Sequence, residues 1–148
     1  MAFRIFSSAF ADGGWIPPLH SCHGADLSPS LEWSGAPAGT RSFALIVDDP
    51  DAPRGTWNHW LLYDIPVEVH TMPQGSRAVG VSGTNDFGKT GYGGPCPPAG
   101  SPHRYYFRLY ALDVEKLGIG AGARRAELEA AIQGHVLGEA QYMGRFQA

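Results

Sequence analysis

Three short polar stretches in this sequence carry side chains suited to holding a small charged ligand. They are Asp49-Pro50-Asp51-Ala52-Pro53, Trp57-Asn58-His59-Trp60 and Pro102-His103-Arg104-Tyr105. A carboxylate beside an imidazole raises the ring's affinity for a proton, and a cationic ring donates hydrogen bonds to an oxyanion. The stretch Gly91-Tyr92-Gly93-Gly94 can bring bare backbone N–H groups close to the same anion, as a nest does. A carboxylate in such a pocket repels phosphate but attracts ammonium, so a zwitterion carrying both charges suits the set.

Taken singly, each stretch has an ordinary explanation. Asp and Pro preset turns, which accounts for 49–53. A histidine among aromatics is more often a satisfied core or rim residue, and Arg104 is as well suited to an ion pair with Asp51 as to a ligand. His20, His23, His70 and His135 stand in no ligand spacing and receive no role. The chemistry exists only if the three stretches converge, with Asp49, Asp51, His59 and His103 facing one crevice.

Catalysis finds less support in these residues. No Gly-x-Ser-x-Gly elbow is present, and Cys96 is the one candidate nucleophile near the proposed crevice. Asp49, His59 and His103 are too widely spaced for a short metal motif, so neither a metal nor a cofactor is expected.

Strands must position these groups. Ser42–Val47 is a short apolar run ending in Asp48-Asp49-Pro50, which predicts a buried strand entering a turn. His59–Ile65 reads the same way and is closed by Pro66. In Arg104–Leu112, Tyr105, Phe107, Leu109 and Ala111 alternate with Arg104, Tyr106, Arg108 and Tyr110, the two-residue period of a sheet with unlike faces. Phe3–Phe6 predicts a short first strand. The long loop from Thr84 to Gly100 is rich in Gly and Pro, and loops of that length are commonly functional. One helix is expected late in the chain, with Leu128, Ile132 and Val136 on one stripe beside Ala131 and His135, and Gly138 as its stop. Ala140–Phe146 is then expected to return as an edge strand.

The 148 residues suit one domain spanning 1–148, with 43% hydrophobic and 17% charged residues. A formal net charge of −3, with no basic run, gives no drive toward nucleic acid or an anionic membrane. No apolar stretch is long enough for a transmembrane helix and no secretory leader is apparent, so a cytoplasmic protein is expected. In that compartment Cys22 and Cys96 are expected as free thiols; a bridge would instead tie the early loop to the Pro-rich loop. A two-fold homodimer is the default for any soluble homo-oligomer.

Joined in order, the motifs resemble the phosphatidylethanolamine-binding protein family, in its bacterial branch often called Raf-kinase-inhibitor-like proteins. The resemblance starts at Cys22-His23-Gly24-Ala25-Asp26-Leu27-Ser28-Pro29 and continues through Asp48-Asp49-Pro50-Asp51-Ala52-Pro53 and Asn58-His59-Trp60. It then takes in Asn85-Asp86-Phe87-Gly88-Lys89 through Gly93-Gly94-Pro95-Cys96-Pro97-Pro98, then Pro102-His103-Arg104-Tyr105, and closes with Glu129 to Ala140. It implies a mainly β fold, with a central antiparallel sheet packed on a smaller one and one or two peripheral helices. It also implies a small pocket for phosphate, acetate or a phospholipid head group of the phosphoethanolamine type. By motif, Asp49 with Asp51 beside it resembles the pocket carboxylate, and His59 and His103 the pocket histidines. Trp57 is similar to the aromatic rim, Gly94 and Pro97 to the loop over the anion, and Tyr105 to the tyrosine behind it. The loop Pro97–Pro102 looks shorter than the family's usual form. The chain also ends soon after Phe146, where eukaryotic members have a helix that helps cover the pocket, so a more open or differently gated pocket is expected. Expected function is therefore non-enzymatic binding of an anionic or phosphorylated ligand, with a regulatory role. The alternatives are inhibition of a kinase or protease through a protein interface, and weak hydrolysis using the Asp/His pocket.

Overall fold

The computed structural model describes residues 2–76 and 79–148. Eight strands form two antiparallel sheets. β1 (Arg4–Phe6), β2 (Leu31–Ser34) and β5 (Thr71–Met72) make the smaller sheet in the order β1-β2-β5. β3 (Ser42–Asp49), β4 (Trp57–Pro66), β6 (Val81–Ser82), β7 (His103–Leu112) and β8 (Val136–Phe146) make the larger one, in the order β6-β4-β3-β7-β8. One α-helix, α1 (Arg125–Ile132), and a single 3-10 turn at Pro18–His20 complete the regular elements among the described residues. The expected fold class is the one observed.

β3 is central, and all eight of its residues are buried. Its alternate residues serve two cores. Phe43, Leu45 and Val47 pack toward the smaller sheet with Trp33, Phe107 and Leu109. Ala44 and Ile46 pack toward α1 with Leu61, Leu128 and Ile132. A strand covered on both faces needs a continuous apolar run, which is why Ser42–Val47 shows no alternation. β7 shows the predicted alternation, with Tyr105, Phe107 and Leu109 buried and Arg104 exposed. Burying each such aromatic or leucine side chain stabilises the fold by about 1.5–3 kcal/mol.

The helix is shorter than its apolar stripe predicts. It ends at Ile132, because Gly134 adopts a left-handed φ of 84° and the His135 N–H turns back to the Ile132 carbonyl. Val136, expected on the helical stripe, begins β8 instead, and both it and Leu137 are exposed there. A four-residue recurrence of apolar residues reads as helix up to the glycine that stops it, and Gly134 rather than Gly138 is that residue. β8 lies at the sheet edge, as expected for the last segment, and pairs with β7 from Val136 to Phe146.

The two cysteines are bridged, contrary to the free thiols expected from the reducing-cytosol prior. Folding brings their Cα atoms to 5.4 Å across 74 residues of sequence, well within the reach of a disulfide. That prior concerns the compartment and says nothing about this juxtaposition. No helix among the described residues is long and apolar enough to cross a membrane.

Candidate functional site

Asp49 ends β3, Trp57 opens β4 and His103 opens β7, so three strand ends meet at one rim of the large sheet. Asp49 continues the parity of Phe43, Leu45 and Val47, and His103 that of Tyr105 and Phe107. Both therefore lie on the face that packs toward the smaller sheet. His59 reaches this face by a local irregularity. Val47 pairs with Trp60 and Asp48 with Asn58, leaving His59 as the extra residue of a β-bulge. Strict alternation would group His59 with Leu61, which faces α1; the bulge re-aims it.

These ends enclose a cavity of about 160 Å³. Its polar lining consists of Asp49, His59, His103 and Tyr105, and its walls are apolar, formed by Trp57, Phe87, Pro53, Pro97 and their neighbours. Asp49, His59 and His103 are all buried. The His103 Nδ1–H donates to Asp49 Oδ2 at 2.6 Å, and the Asp51 N–H donates to Asp49 Oδ1 at 2.8 Å. The His59 Nδ1–H donates to the Gly93 carbonyl at 2.7 Å. Both rings thus have their Nδ1 committed to a protein acceptor, which fixes the tautomer. Each Nε2 is left without a protein partner among the described residues, a lone pair when the ring is neutral and a donor when it is protonated.

Tyr105 sits between the histidines and the core, its ring 5.2 Å edge-to-face from that of His59. Its hydroxyl is fully buried and makes no hydrogen bond of normal length among the described residues, although it lies near enough to Asp49 to interact with it. Burial, reinforced by the Asp49 charge, holds its pKa far above the ordinary phenol value, so it remains a neutral O–H donor. Burial likewise lowers the His59 pKa, against the opposing pull of the Gly93 carbonyl and of Asp49 and Asp86. At the mouth, Trp57 and Phe87 are 37% and 41% exposed, with ring centroids 5.5 Å apart. Among the described residues no lysine or arginine lines the cavity, so the positive charge they can supply there comes from the imidazoles. No cluster of three or more metal-ligating side chains occurs among the described residues.

Of the residues singled out from sequence, Asp49, Trp57, His59, Pro97, His103 and Tyr105 come together here. Asp51 and Gly94 do not line the cavity. The Asp51 carboxylate accepts from the Arg104 backbone N–H at 2.9 Å and from its guanidinium at 2.9 and 2.8 Å. That pairing holds the Asp51 pKa down at about 2 and ties the 49–53 turn to the start of β7. The Gly94 N–H donates to Asp26 Oδ1 at 2.8 Å and the Gly93 N–H to the His59 carbonyl at 2.9 Å, so neither is free for an anion. Gly94 is required for close approach: a Cβ there would strike the His20 carbonyl and the Asp26 carboxylate.

Phe87, Pro53 and Pro98 are cavity residues that the sequence reading did not single out. An aromatic in a Gly-rich loop was the available signal for Phe87.

Known proteins are similar to this chain over nearly its whole length. Residues 6–147 match the family model described as phosphatidylethanolamine-binding protein. The chain is 45% identical over 150 residues to a UPF0098 protein of Aquifex aeolicus, covering 97% of this chain and 88% of that one. The crystal structure of CT736 from Chlamydia trachomatis, described as a putative phosphatidylethanolamine-binding protein homolog, superposes with a TM-score of 0.94 at 39% identity. It covers 99% of this chain and 98% of that one. YbcL of E. coli, described as a new member of the mammalian family, superposes at 0.93 with 34% identity, covering 100% and 99% of the two chains. With the family model, the relatives and the fold all matching over nearly the full length, the chain belongs to the phosphatidylethanolamine-binding protein family.

Proposed function

We propose that the cavity binds a small oxyanion, as free phosphate or a carboxylate or as the phosphate of a phosphoethanolamine-type head group, and that it binds rather than catalyses. The observation that carries this reading is the Tyr105 hydroxyl, a buried donor with no hydrogen-bond partner among the described residues, in the wall shared by His59, His103 and Asp49. An unmatched buried O–H costs about 1–3 kcal/mol, which an arriving acceptor recovers. The two Nε2 atoms supply further donors once protonated. A zwitterionic head group adds an ammonium, which suits the Asp49 charge and the exposed faces of Trp57 and Phe87. The apolar walls accommodate whatever carbon chain the head group carries.

The test is thermal unfolding with millimolar phosphate, acetate or phosphoethanolamine at pH 6 and pH 8. Ligand stabilisation greater at pH 6 is expected. The reading fails if none of the three raises Tm at either pH.

A further inference from the structure

The Pro-rich segment that walls the cavity is fastened in an uneven way. Up to Pro95 it is held by a ladder of hydrogen bonds. The Gly93 N–H donates to the His59 carbonyl at 2.9 Å, the Gly94 N–H to Asp26 at 2.8 Å, and the Cys22 N–H to the Pro95 carbonyl at 3.0 Å. The Tyr92 hydroxyl adds a bond of 2.6 Å to the His20 carbonyl. Beyond Pro95 this pattern stops. Pro97, Pro98 and Pro102 have no N–H. Among the described residues, the only hydrogen bond on the stretch 96–101 is the one that the exposed Gln147 side chain donates to the Gly100 carbonyl. The covalent tie on this part of the wall is the Cys22–Cys96 disulfide, beside the packing of the buried Pro97.

Cys96 and Pro97 themselves line the cavity. Both cysteines are solvent-exposed, so a reductant reaches the bridge without the core opening. Exposed disulfides are the labile ones. The core beneath does not depend on the bridge for contact: Phe43, Leu45, Phe107 and Leu109 are buried between the two sheets.

We propose that the Cys22–Cys96 bridge is a redox latch on the ligand cavity: oxidised, it holds the wall at Cys96-Pro97-Pro98 in place; reduced, it frees that wall and weakens ligand binding while the sheets stay folded. The ligand consequence rests on the anion-binding reading above, whereas the loosening of the wall does not. The reductant is a dithiol. Its thiolate attacks one sulfur to give a mixed disulfide, its second thiol displaces the protein, and it leaves as its own disulfide. Two electrons and two protons thus pass to Cys22 and Cys96. A reduced wall closed about a tenth of the time lowers apparent affinity about tenfold.

The experiment compares oxidised protein, dithiothreitol-reduced protein and the Cys22→Ser/Cys96→Ser variant by amide hydrogen exchange and by titration with inorganic phosphate at pH 6. Reduction is expected to speed exchange at Cys22, whose N–H bonds the Pro95 carbonyl beside the bridge, while β3 and β7 amides stay protected. Phosphate affinity is expected to fall about tenfold and return on reoxidation, and the variant is expected to match the reduced form and ignore dithiothreitol. Unchanged exchange at the Cys22 amide, or loss of protection throughout β3 and β7, overturns the latch; the latter would make the bridge a staple for the whole fold. Equal phosphate affinity in both redox states also overturns it. If the oxidised protein binds no phosphate, the anion-site reading fails, and the exchange comparison alone decides whether the bridge fastens the wall.

Discussion

Replacing Asp49 by Asn separates the charge of the site from its shape. In the wild-type protein the carboxylate accepts from His103 Nδ1 at 2.6 Å and from the Asp51 N–H at 2.8 Å. A neutral His103 therefore carries its proton on Nδ1 and shows the cavity a lone pair, so an anion binds there only as the ring takes up a second proton. In Asp49→Asn the new amide keeps its oxygen for the Asp51 N–H and turns its NH₂ toward the ring. The ring then accepts at Nδ1 and holds its proton at Nε2, a donor already aimed at the ligand. Two magnitudes follow. A charge-assisted hydrogen bond worth about 1.5–3 kcal/mol is replaced by a neutral one worth about 0.5–1.5, so stability falls by about 1–2 kcal/mol. For a domain of this size that is a Tm loss of about 2–8 °C. For binding, each linked proton changes affinity about tenfold per pH unit, and the variant takes up one proton fewer. Sulfate is the suitable probe because it does not titrate between pH 6 and 8. Calorimetry in two buffers of different ionisation enthalpy counts the protons directly. The variant is expected to bind sulfate with a shallower pH slope, by about tenfold per pH unit, than the wild type. Equal proton uptake by the two proteins would refute the tautomer argument.

Further outcomes test neighbouring parts of the structure. Asp48→Asn is expected to destabilise by about 3–5 kcal/mol while leaving the sulfate affinity of the folded protein unchanged. The buried Asp48 carboxylate holds Arg108 at 3.0 Å and Arg125 at 2.6 Å on the face opposite the cavity; urea unfolding and sulfate titration check this. Tyr105→Phe removes an unpartnered hydroxyl, so stability without ligand is expected to hold or rise by up to about 1 kcal/mol while sulfate binding weakens about tenfold; a loss of stability with unchanged binding would show the hydroxyl is not a ligand donor. His59 has a depressed pKa in the folded state, so the unfolded chain binds its proton first. Its contribution to stability is present above about pH 6.5 and is lost as pH falls through the lower folded value. Urea unfolding from pH 7 to 5 is expected to show this decline, and His59→Gln is expected to flatten it. Asp51→Asn is expected to cost no more than about 1 kcal/mol in thermal unfolding and to leave sulfate affinity unchanged, because its partner Arg104 is solvent-exposed.

What the sequence determined by itself was local. The apolar run Phe43–Val47 and the alternation of Tyr105, Phe107 and Leu109 set strand positions and faces, because burial on one face or two dictates hydrophobic period directly. Tertiary structure decided the rest. His59 joins them only through a bulge, an extra residue whose presence depends on which partner residue it fails to pair with. Of two adjacent aspartates, Asp48 faces two arginines and Asp49 faces the cavity, a division invisible until both sheet faces are covered. Asp51 and Gly94 looked like ligand groups but are committed elsewhere in the fold. The Cys22–Cys96 bridge depends on a Cα separation of 5.4 Å between residues 74 positions apart, and no local pattern encodes a distance of that kind. Local spacing fixes which face a side chain takes; only long-range pairing fixes what stands opposite it.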